Sequence, residues 1–600
     1  MSKRSSALTA AAFACLLLIR SLAAAEPVRP NVLWIVSEDN APYLGCYGEP
    51  LARTPVLDAL AKRGVRYTNA RSAAPVCAPS RCSIITARFA TTLGTQNMRS
   101  RWDIPDGVRY FPELLREAGW YCTNNAKTDY NIGNDRITLA WDESGKQAHW
   151  RKRPAGKPFF SVFNIELTHE SSLHKRLPLI TDPATVRIPA YLPDLPAVRQ
   201  DIAQYHDRIA LMDARVGEIL KELAEYGLSD STIVVYYSDH AGALPRGKRF
   251  LYDSGTRVPL IVQVPERLTK AAPQAVGTVC ADQVSLLDMG PTVLSWCGVT
   301  LPAGLHGRAI AGPQRTSAPD VGFAFRERMD ERYDSSRAVY DGRFVYIRNY
   351  QPLVPHGQHL DYQWKAASMQ AWAGAFAAGT LTPPQAAFFQ PKPSEELYDS
   401  TSDPDNVVNL VADASRAADL LRLRAALQAR LLAIRDTGFL PEPLMATLRG
   451  TQSPMEYAAD DERYPLGRLL PLIERMQVGR DAAAVDTALS DSHPVLRHWG
   501  ATSSLMLPQE PAGLAALLND RNAAIRVAAA EAILRRRSDV AASAVVNAVL
   551  VSKEPWPIRL AAANTVSRLS DRSPFIATLK GTEQTEEYLQ RIVPWLLGQP

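Results

Sequence analysis

Three short runs along the chain are almost continuously apolar: Asn31–Ser37 (NVLWIVS), Phe159–Asn164 (FFSVFN) and Thr232–Ser238 (TIVVYYS). A strand buried on both faces reads that way, because neither side of its pleat turns toward water. Between the last two runs, Ile202–Leu223 carries apolar residues at helical spacing and stops before Gly227, which predicts a crossover helix. Strand runs alternating with helical patterns predict an α/β unit, a mostly parallel sheet flanked by helices, over residues 26–350.

Around 352–393 the periodicity fades and prolines and aromatics accumulate, which marks a boundary or a long irregular insertion. Glu396 then opens a smaller unit with a helical segment over 412–434, read as an α+β C-terminal subdomain, 351–440, followed by a linker, 441–475. The last stretch, 476–600, changes character. Val495-Leu496-Arg497 with Ala501, then Ile525-Arg526-Val527-Ala528-Ala529-Ala530, then Ile558-Arg559-Leu560-Ala561-Ala562-Ala563 recur about 30 residues apart inside Ala-rich helical stretches. Such units bury their apolar faces only by stacking, so an all-α helical-repeat domain is predicted. The I-R-x-A-A-A cores resemble HEAT-type repeats; an ordinary helical bundle is the alternative.

At the other end, Lys3 and Arg4 precede an apolar stretch, Ala7–Ile19, and the small residues Ala23-Ala24-Ala25. This predicts an export signal over 1–25, too short to span a bilayer. No later stretch predicts a membrane span, so the chain is expected in the periplasm or outside the cell. Its 600 residues exceed what one hydrophobic core serves. A net charge of +5 on that length is small, so the whole-chain field predicts no nucleic-acid partner and any polyanion must meet a local basic patch. Seven cysteines are present; without Cys15 and Cys77 five remain, so at least one is unpaired within the chain.

Charged residues stand where this architecture gathers chemistry, just beyond the carboxyl ends of strands. Glu38 and Asp39 follow the first strand run and Asp239 and His240 the third, so the two pairs can converge although far apart in sequence. Taken alone such acids commonly cap helices or sit in solvated loops; together their oxygens suit a hard cation, Ca²⁺ or Mg²⁺. Between them lies Cys77-Ala78-Pro79-Ser80-Arg81, followed by Thr86-Ala87-Arg88. Arg81, Lys127, His169 and Lys248 are basic groups of the kind that neutralise a delocalised anion, although singly each also reads as a solvated surface charge.

On these residues the chain resembles the type I, formylglycine-dependent sulfatases, whose C-x-P-S-R element directs oxidation of its cysteine. The likeness continues in order over 30–410 through Thr54-Pro55 with Leu57-Asp58, YDSGTRVPL (252–260), Asp288 with Pro291-Thr292, Asp341-Gly342-Arg343, and Glu396-Leu397-Tyr398-Asp399 with Asp403-Pro404. The resemblance implies an alkaline-phosphatase-like fold and a formylglycine made from Cys77 by a formylglycine-generating enzyme. It implies one Ca²⁺ or Mg²⁺ held by Glu38, Asp39, Asp239, His240 and the modified Cys77. It further implies that Arg81 holds the formylglycine hydrate, Lys127 and Lys248 meet the sulfate oxygens, and His169 protonates the leaving group. Five positions depart from the family pattern: Glu38 for aspartate, His240 for asparagine, Ala241 and Ala87 for glycine, and Asp129 for a histidine whose role Asp129 itself is the candidate to take.

FRERMDERYD (325–334) and YIRNYQP (346–352) are similar to heparan N-sulfatase-like members, which implies a sulfated saccharide such as a glycosaminoglycan fragment. Arg326, Arg328, Arg337 and Arg348 either bind acidic groups of that sugar or form salt bridges within the fold; the sequence leaves both open. Two rival readings stand beside it: a phosphomonoester, phosphodiester or phosphonate hydrolase on the same scaffold, and a non-catalytic binding protein that holds a protein partner through the helical repeats.

Overall fold

The computed structural model describes residues 29–598; the expected export signal lies outside them. The larger sheet has eight strands: β1 (Asn31–Ser37), β2 (Val65–Arg71), β3 (Tyr121–Asn125), β4 (Glu143–Ser144), β5 (Phe159–Ile165), β6 (Thr232–Ser238), β7 (Leu260–Gln263) and β8 (Val279–Ser285). They lie in the order β4-β3-β5-β1-β6-β7-β2-β8. Only β7 runs against its neighbours; the other pairings are parallel. The three apolar runs of the sequence are therefore adjacent strands, with β1 in the middle and all seven of its residues buried. Trp34 on β1 anchors one face, its ring edge-on to Phe160 at 5.0 Å and Tyr237 at 5.3 Å. The predicted crossover helix spans Pro196–Glu225 and packs its apolar stripe (Ile202, Ile209, Met212, Val216, Ile219, Leu223) on the other face.

A second, antiparallel sheet joins β9 (Gly322–Arg326), β10 (Ser336–Tyr340), β11 (Phe344–Asn349) and β12 (Glu395–Asp399). The proline- and aromatic-rich stretch 352–393 is thus an insertion between paired strands β11 and β12. The division expected at residue 350 falls inside one sheet, which hydrogen bonds across it hold together. The expected linker, 441–475, is helical as well: Glu442–Leu448, Pro454–Ala458 and the start of Leu466–Gln477. Pro443 and Pro454 sit in the first turns of the first two helices, where proline is favoured. Leu466, Leu469, Leu470, Ile473 and Met476 recur at helical spacing and are all buried.

The remaining residues form an extra helical C-terminal region. The recurrent motifs open the helices Pro494–Ser504, Ala523–Leu534 and Trp556–Ser567 and bury Val495, Ile525 and Ile558. Among the described residues no helix is long and apolar enough to cross a membrane, and Cys46, Cys77, Cys82, Cys122, Cys280 and Cys297 are all free thiols.

The four arginines left open by the sequence are structural. All are at most 1% exposed. Arg326 pairs with Asp334 at 3.2 Å, Arg328 with Glu442, Arg337 with Asp436 and Glu327 at 2.7 Å each, and Arg348 with Glu474 at 3.1 Å. Three of these partners lie beyond residue 430, so the small sheet is clamped to the C-terminal half by buried charge. Removing one partner of such a pair leaves an uncompensated ion, which costs roughly 3–5 kcal/mol. Arg337→Ala is therefore expected to lower unfolding stability by that amount in chemical denaturation, with the Cys77 environment unchanged in the surviving folded fraction.

Candidate functional site

β1 and β6 are in register, Ser37 opposite Ser238, so Glu38-Asp39 and Asp239-His240 leave the sheet at the same level. Asp39 turns there with a left-handed φ of 49°, unusual for a non-glycine residue. Its backbone N–H donates to Asp239 Oδ1 at 3.3 Å, which ties the two pairs directly. Above them Cys77 begins the helix Cys77–Thr86, whose ten residues are all buried. Ala87 ends that helix with φ 52°, a conformation that glycine adopts without strain, which gives the physical reason for the family's glycine there.

Asp39, Cys77 and His240 bring one ligand atom each within 4.8 Å of one another. His240 Nε2 lies 3.0 Å from Asp39 Oδ1, 3.3 Å from Cys77 Sγ and 3.9 Å from Asp239 Oδ1. Its Nδ1 meets the Ala241 carbonyl at 2.9 Å, which fixes the ring with Nε2 facing the cluster. Glu38 is turned a little aside: Oε2 accepts from Lys127 Nζ at 2.7 Å, and Oε1 faces Arg81 at 3.6 Å with no hydrogen bond.

The basic residues close the ring. Arg81 Nε donates to Asp239 Oδ2 at 2.9 Å and Nη1 to Asn164 Oδ1 at 2.8 Å, while its Nη2 is buried without an acceptor. Lys248 Nζ donates to Asp39 Oδ2 at 2.7 Å and lies 3.3 Å from His169 Nε2. Lys127 and His169 are the site's openings to solvent, with side chains 17% and 20% exposed, whereas Glu38, Asp39, Asp239 and His240 are at most 1% exposed. Asp129 is not in this ring; it faces Arg99 at 3.7 Å, and its Oδ2 is buried with no partner.

Burial pushes the Glu38 carboxyl up to about 7 against the pull of Lys127 and Arg81. Burial acts the same way on Asp39, but Lys248, His169 and His240 overcome it and hold Asp39 well below the usual carboxylate range. Burial disfavours the His240 cation, yet Asp239, Asp39 and Cys77 push its pKa up to about 10. The Cys77 thiol is held well below its ordinary value, since Lys127 and Lys248 outweigh burial.

Several participants escaped sequence reading. Glu170 donates its backbone N–H to Asp39 Oδ2 at 2.8 Å and pairs through Oε1 with Arg249 at 2.7 Å. Thr168 and Ser80 donate their hydroxyls to the carbonyls of Glu38 and Asp239. Ser80 stood inside the CAPSR element; for the others the signal was adjacency: Glu170 follows His169, Arg249 follows Lys248, and Asn164 stands near the end of β5.

Fold and site together define a hydrolase of alkaline-phosphatase-like architecture. A family profile described as Sulfatase matches residues 30–299. An ulvan-active sulfatase of Formosa agariphila is 35% identical over 466 residues, 69% of this chain and 77% of that protein. The human N-sulphoglucosamine sulphohydrolase is 27% identical, over 68% of this chain and 90% of its own. In fold, the phosphonate monoester hydrolase of Silicibacter pomeroyi superposes with a TM-score of 0.52 at 18% identity, covering 68% of this chain and 96% of that one. The chain belongs to the sulfatase family, and it is a sulfuric ester hydrolase.

Substituting a half-buried lysine of the ring tests its electrostatics. Lys127→Ala is expected to lower kcat/KM by about 10²–10³ on an aryl sulfate, the usual cost of one preorganised donor, and to lower the thermal unfolding midpoint as well, because the buried Glu38 carboxyl loses its partner.

Proposed function

We propose that this sulfatase hydrolyses sulfate esters or sulfamates of a sulfated saccharide after export, using a formylglycine derived from Cys77 and one bound Ca²⁺. One observation carries the reading: Asp39, Asp239 and His240, from two adjacent strands, converge on Cys77 inside a ring of lysine, arginine and histidine. The saccharide follows from the relatives, which are named for ulvan and for N-sulphoglucosamine.

The residues fit a divalent ion. Asp39, Cys77 and His240 bring ligand atoms together, Glu38 and Asp239 are buried beside them, Glu38 keeps a bare buried oxygen, and Glu38 and His240 both favour a proton where a cation would serve. Glu38, Asp39, Asp239, His240 and residue 77 are the ligands in this reading. When bound, the ion supplies Lewis-acid polarisation and acidifies a hydroxyl it touches. The formylglycine supplies, as its hydrate, a hydroxyl nucleophile and a second hydroxyl that serine and unmodified cysteine lack. A formylglycine-generating enzyme is then a partner during maturation.

The chain's own residues do the rest. Lys127 and Lys248 meet the sulfate oxygens as charge builds on them. His169, with Nε2 toward Lys248 and its side chain open to solvent, hands a proton to the leaving oxygen or nitrogen. Asp39 and Glu38 keep both lysines charged. Arg81 keeps one N–H free for the modified side chain. The C-terminal helices fit a HEAT-like stack that buttresses the catalytic unit: Asn564 donates to Glu331 O at 2.9 Å and Arg568 to Tyr333 O at 3.0 Å.

The decisive test compares the sulfate and phosphate of one chromogenic phenol. The sulfate is expected to turn over faster by orders of magnitude; a preference for the phosphate ester would overturn the reading. Peptide mass spectrometry is expected to find an aldehyde at position 77 in active enzyme. Cys77→Ser is expected to fold normally yet abolish multiple turnover, and native-like turnover by that variant would remove residue 77 from the chemistry.

Ca²⁺ at 100-fold above its Kd is expected to stabilise the fold by about 2.7 kcal/mol, seen as a raised unfolding midpoint that a chelator reverses. Because Glu38 titrates near 7 and His240 near 10, the ion must displace protons below those values. Its affinity therefore rises as pH rises through 7, which calorimetry at pH 6 and pH 8 would measure.

A further inference from the structure

The mouth of the site has two flanks that the proposed chemistry does not use. On the Lys127 side, Asp129 faces Arg99. On the His169 side, the half-buried ring of Tyr362 lies 6.2 Å from the His169 ring and 4.8 Å from that of His174, with the Arg591 guanidinium 6.0 Å over it. Arg591 belongs to Glu587–Leu596, the last helix of the C-terminal region.

Both flanks are fixed next to residue 77. Val76 and Ala78, its two neighbours, share a small buried apolar cluster with Met98 and Met329. Arg99 and Asp330 are the residues that follow those methionines, and both turn with left-handed φ, 54° and 48°. The Met98 loop is pinned by Arg328, whose carbonyl accepts from Met98 N at 3.1 Å, and by Tyr588 of the last helix, whose hydroxyl donates to Met98 O at 3.2 Å. Asp330 pairs with Arg249 at 2.8 Å on the site side and with Arg591 at 3.1 Å on the helix side.

Against that background Arg99 stands out. Its side chain is 36% exposed, its nearest acid stands 3.7 Å away, beyond hydrogen-bond distance, and no hydrogen bond holds its guanidinium among the described residues. Burial works against its charge, yet Asp129, Tyr588, Asp330 and Cys77 more than restore it. An arginine fork held at the rim of an anion site, with its donors free, matches a carboxylate or sulfate in geometry as well as charge.

We propose that Arg99 binds a second anionic group of the saccharide, a uronate carboxylate or a further sulfate, while Tyr362 carries the face of a sugar ring, in a subsite whose outer wall is the last C-terminal helix. This rests on the reading of Cys77 as the reacting centre. A sugar spanning from residue 77 past His169 would reach the half-buried ring of Tyr362, which suits pyranose C–H groups and has the Lys365 ammonium 5.4 Å and the Arg591 guanidinium 6.0 Å over it.

Calorimetry on the Cys77→Ala protein separates this proposal from the chemistry. The probes are inorganic sulfate, which fills the reacting-group position alone, and a heparin-derived disaccharide with one uronate carboxylate and one N-sulfate. Adding Arg99→Ala is expected to weaken the disaccharide at least tenfold and inorganic sulfate less than threefold. Arg99→Lys, which keeps the charge but loses the fork, is expected to fall between, and Tyr362→Ala to weaken the disaccharide alone. Undiminished disaccharide binding by Arg99→Ala, an equal loss for both probes, or no binding of the disaccharide by the Cys77→Ala parent would each overturn the subsite. The sulfatase reading is judged apart, by aryl sulfate turnover in the unsubstituted enzyme.

Discussion

Three carboxylates, Glu38, Asp39 and Asp239, are withdrawn from water within one small volume, each at most 1% exposed. An isolated ionised carboxylate in such surroundings is prohibitively costly, so each needs paired charge and hydrogen bonds. Asp39 has Lys248, the Glu170 N–H and His240. Asp239 has Arg81 and two backbone N–H groups, those of Asp39 and His240. Glu38 has Lys127 and an oxygen left bare. The requirement also dictates topology: only adjacent parallel strands in register deliver both acidic pairs to one level, which is what β1 and β6 do.

That requirement explains what the sequence made legible. Strands buried on both faces must be apolar throughout, so β1, β5 and β6 stood out, and with them the positions just past their ends. The CAPSR element was legible as a resemblance to a family motif, and the fold sets its cysteine beside Asp39 and His240. The mostly parallel sheet, the crossover helix and the helical C-terminal region follow from the same periodicities.

What stayed hidden depends on partners distant in sequence. The sequence left Arg326, Arg328, Arg337 and Arg348 open between a sugar's acidic groups and salt bridges within the fold, and only folding brings Asp334, Glu442, Asp436 and Glu474 against them. Glu170 acts on Asp39 through its backbone N–H, a contact no side-chain pattern encodes. The stretch 441–475, expected as a linker, is helical, with Pro443 and Pro454 in first helical turns. Ala87 and Asp129, seen only as departures from a family pattern, differ physically. Both hold positive φ, yet Ala87 keeps a helix end that glycine would make without strain, while Asp129 is paired outward with Arg99.

The same charges connect the candidate site to the far end of the chain. From Asp39 the contacts run through Glu170 to Arg249, then Asp330, then Arg591 on the last helix, with alternating sign from Glu170 onward. Along that path Asp39, Arg249 and Asp330 all hold left-handed backbone, as do Arg99 and Asp129 beside it. Each such non-glycine turn costs on the order of 1 kcal/mol and persists only where surrounding structure over-determines it. The over-determination comes from the C-terminal half: Glu442 holds Arg328, which carries the Met98 loop, and Tyr588 and Arg591 hold Met98 and Asp330 from the other side. The helical region therefore acts as the scaffold that keeps a strained, charged mouth in shape around a site the sheet alone would leave open.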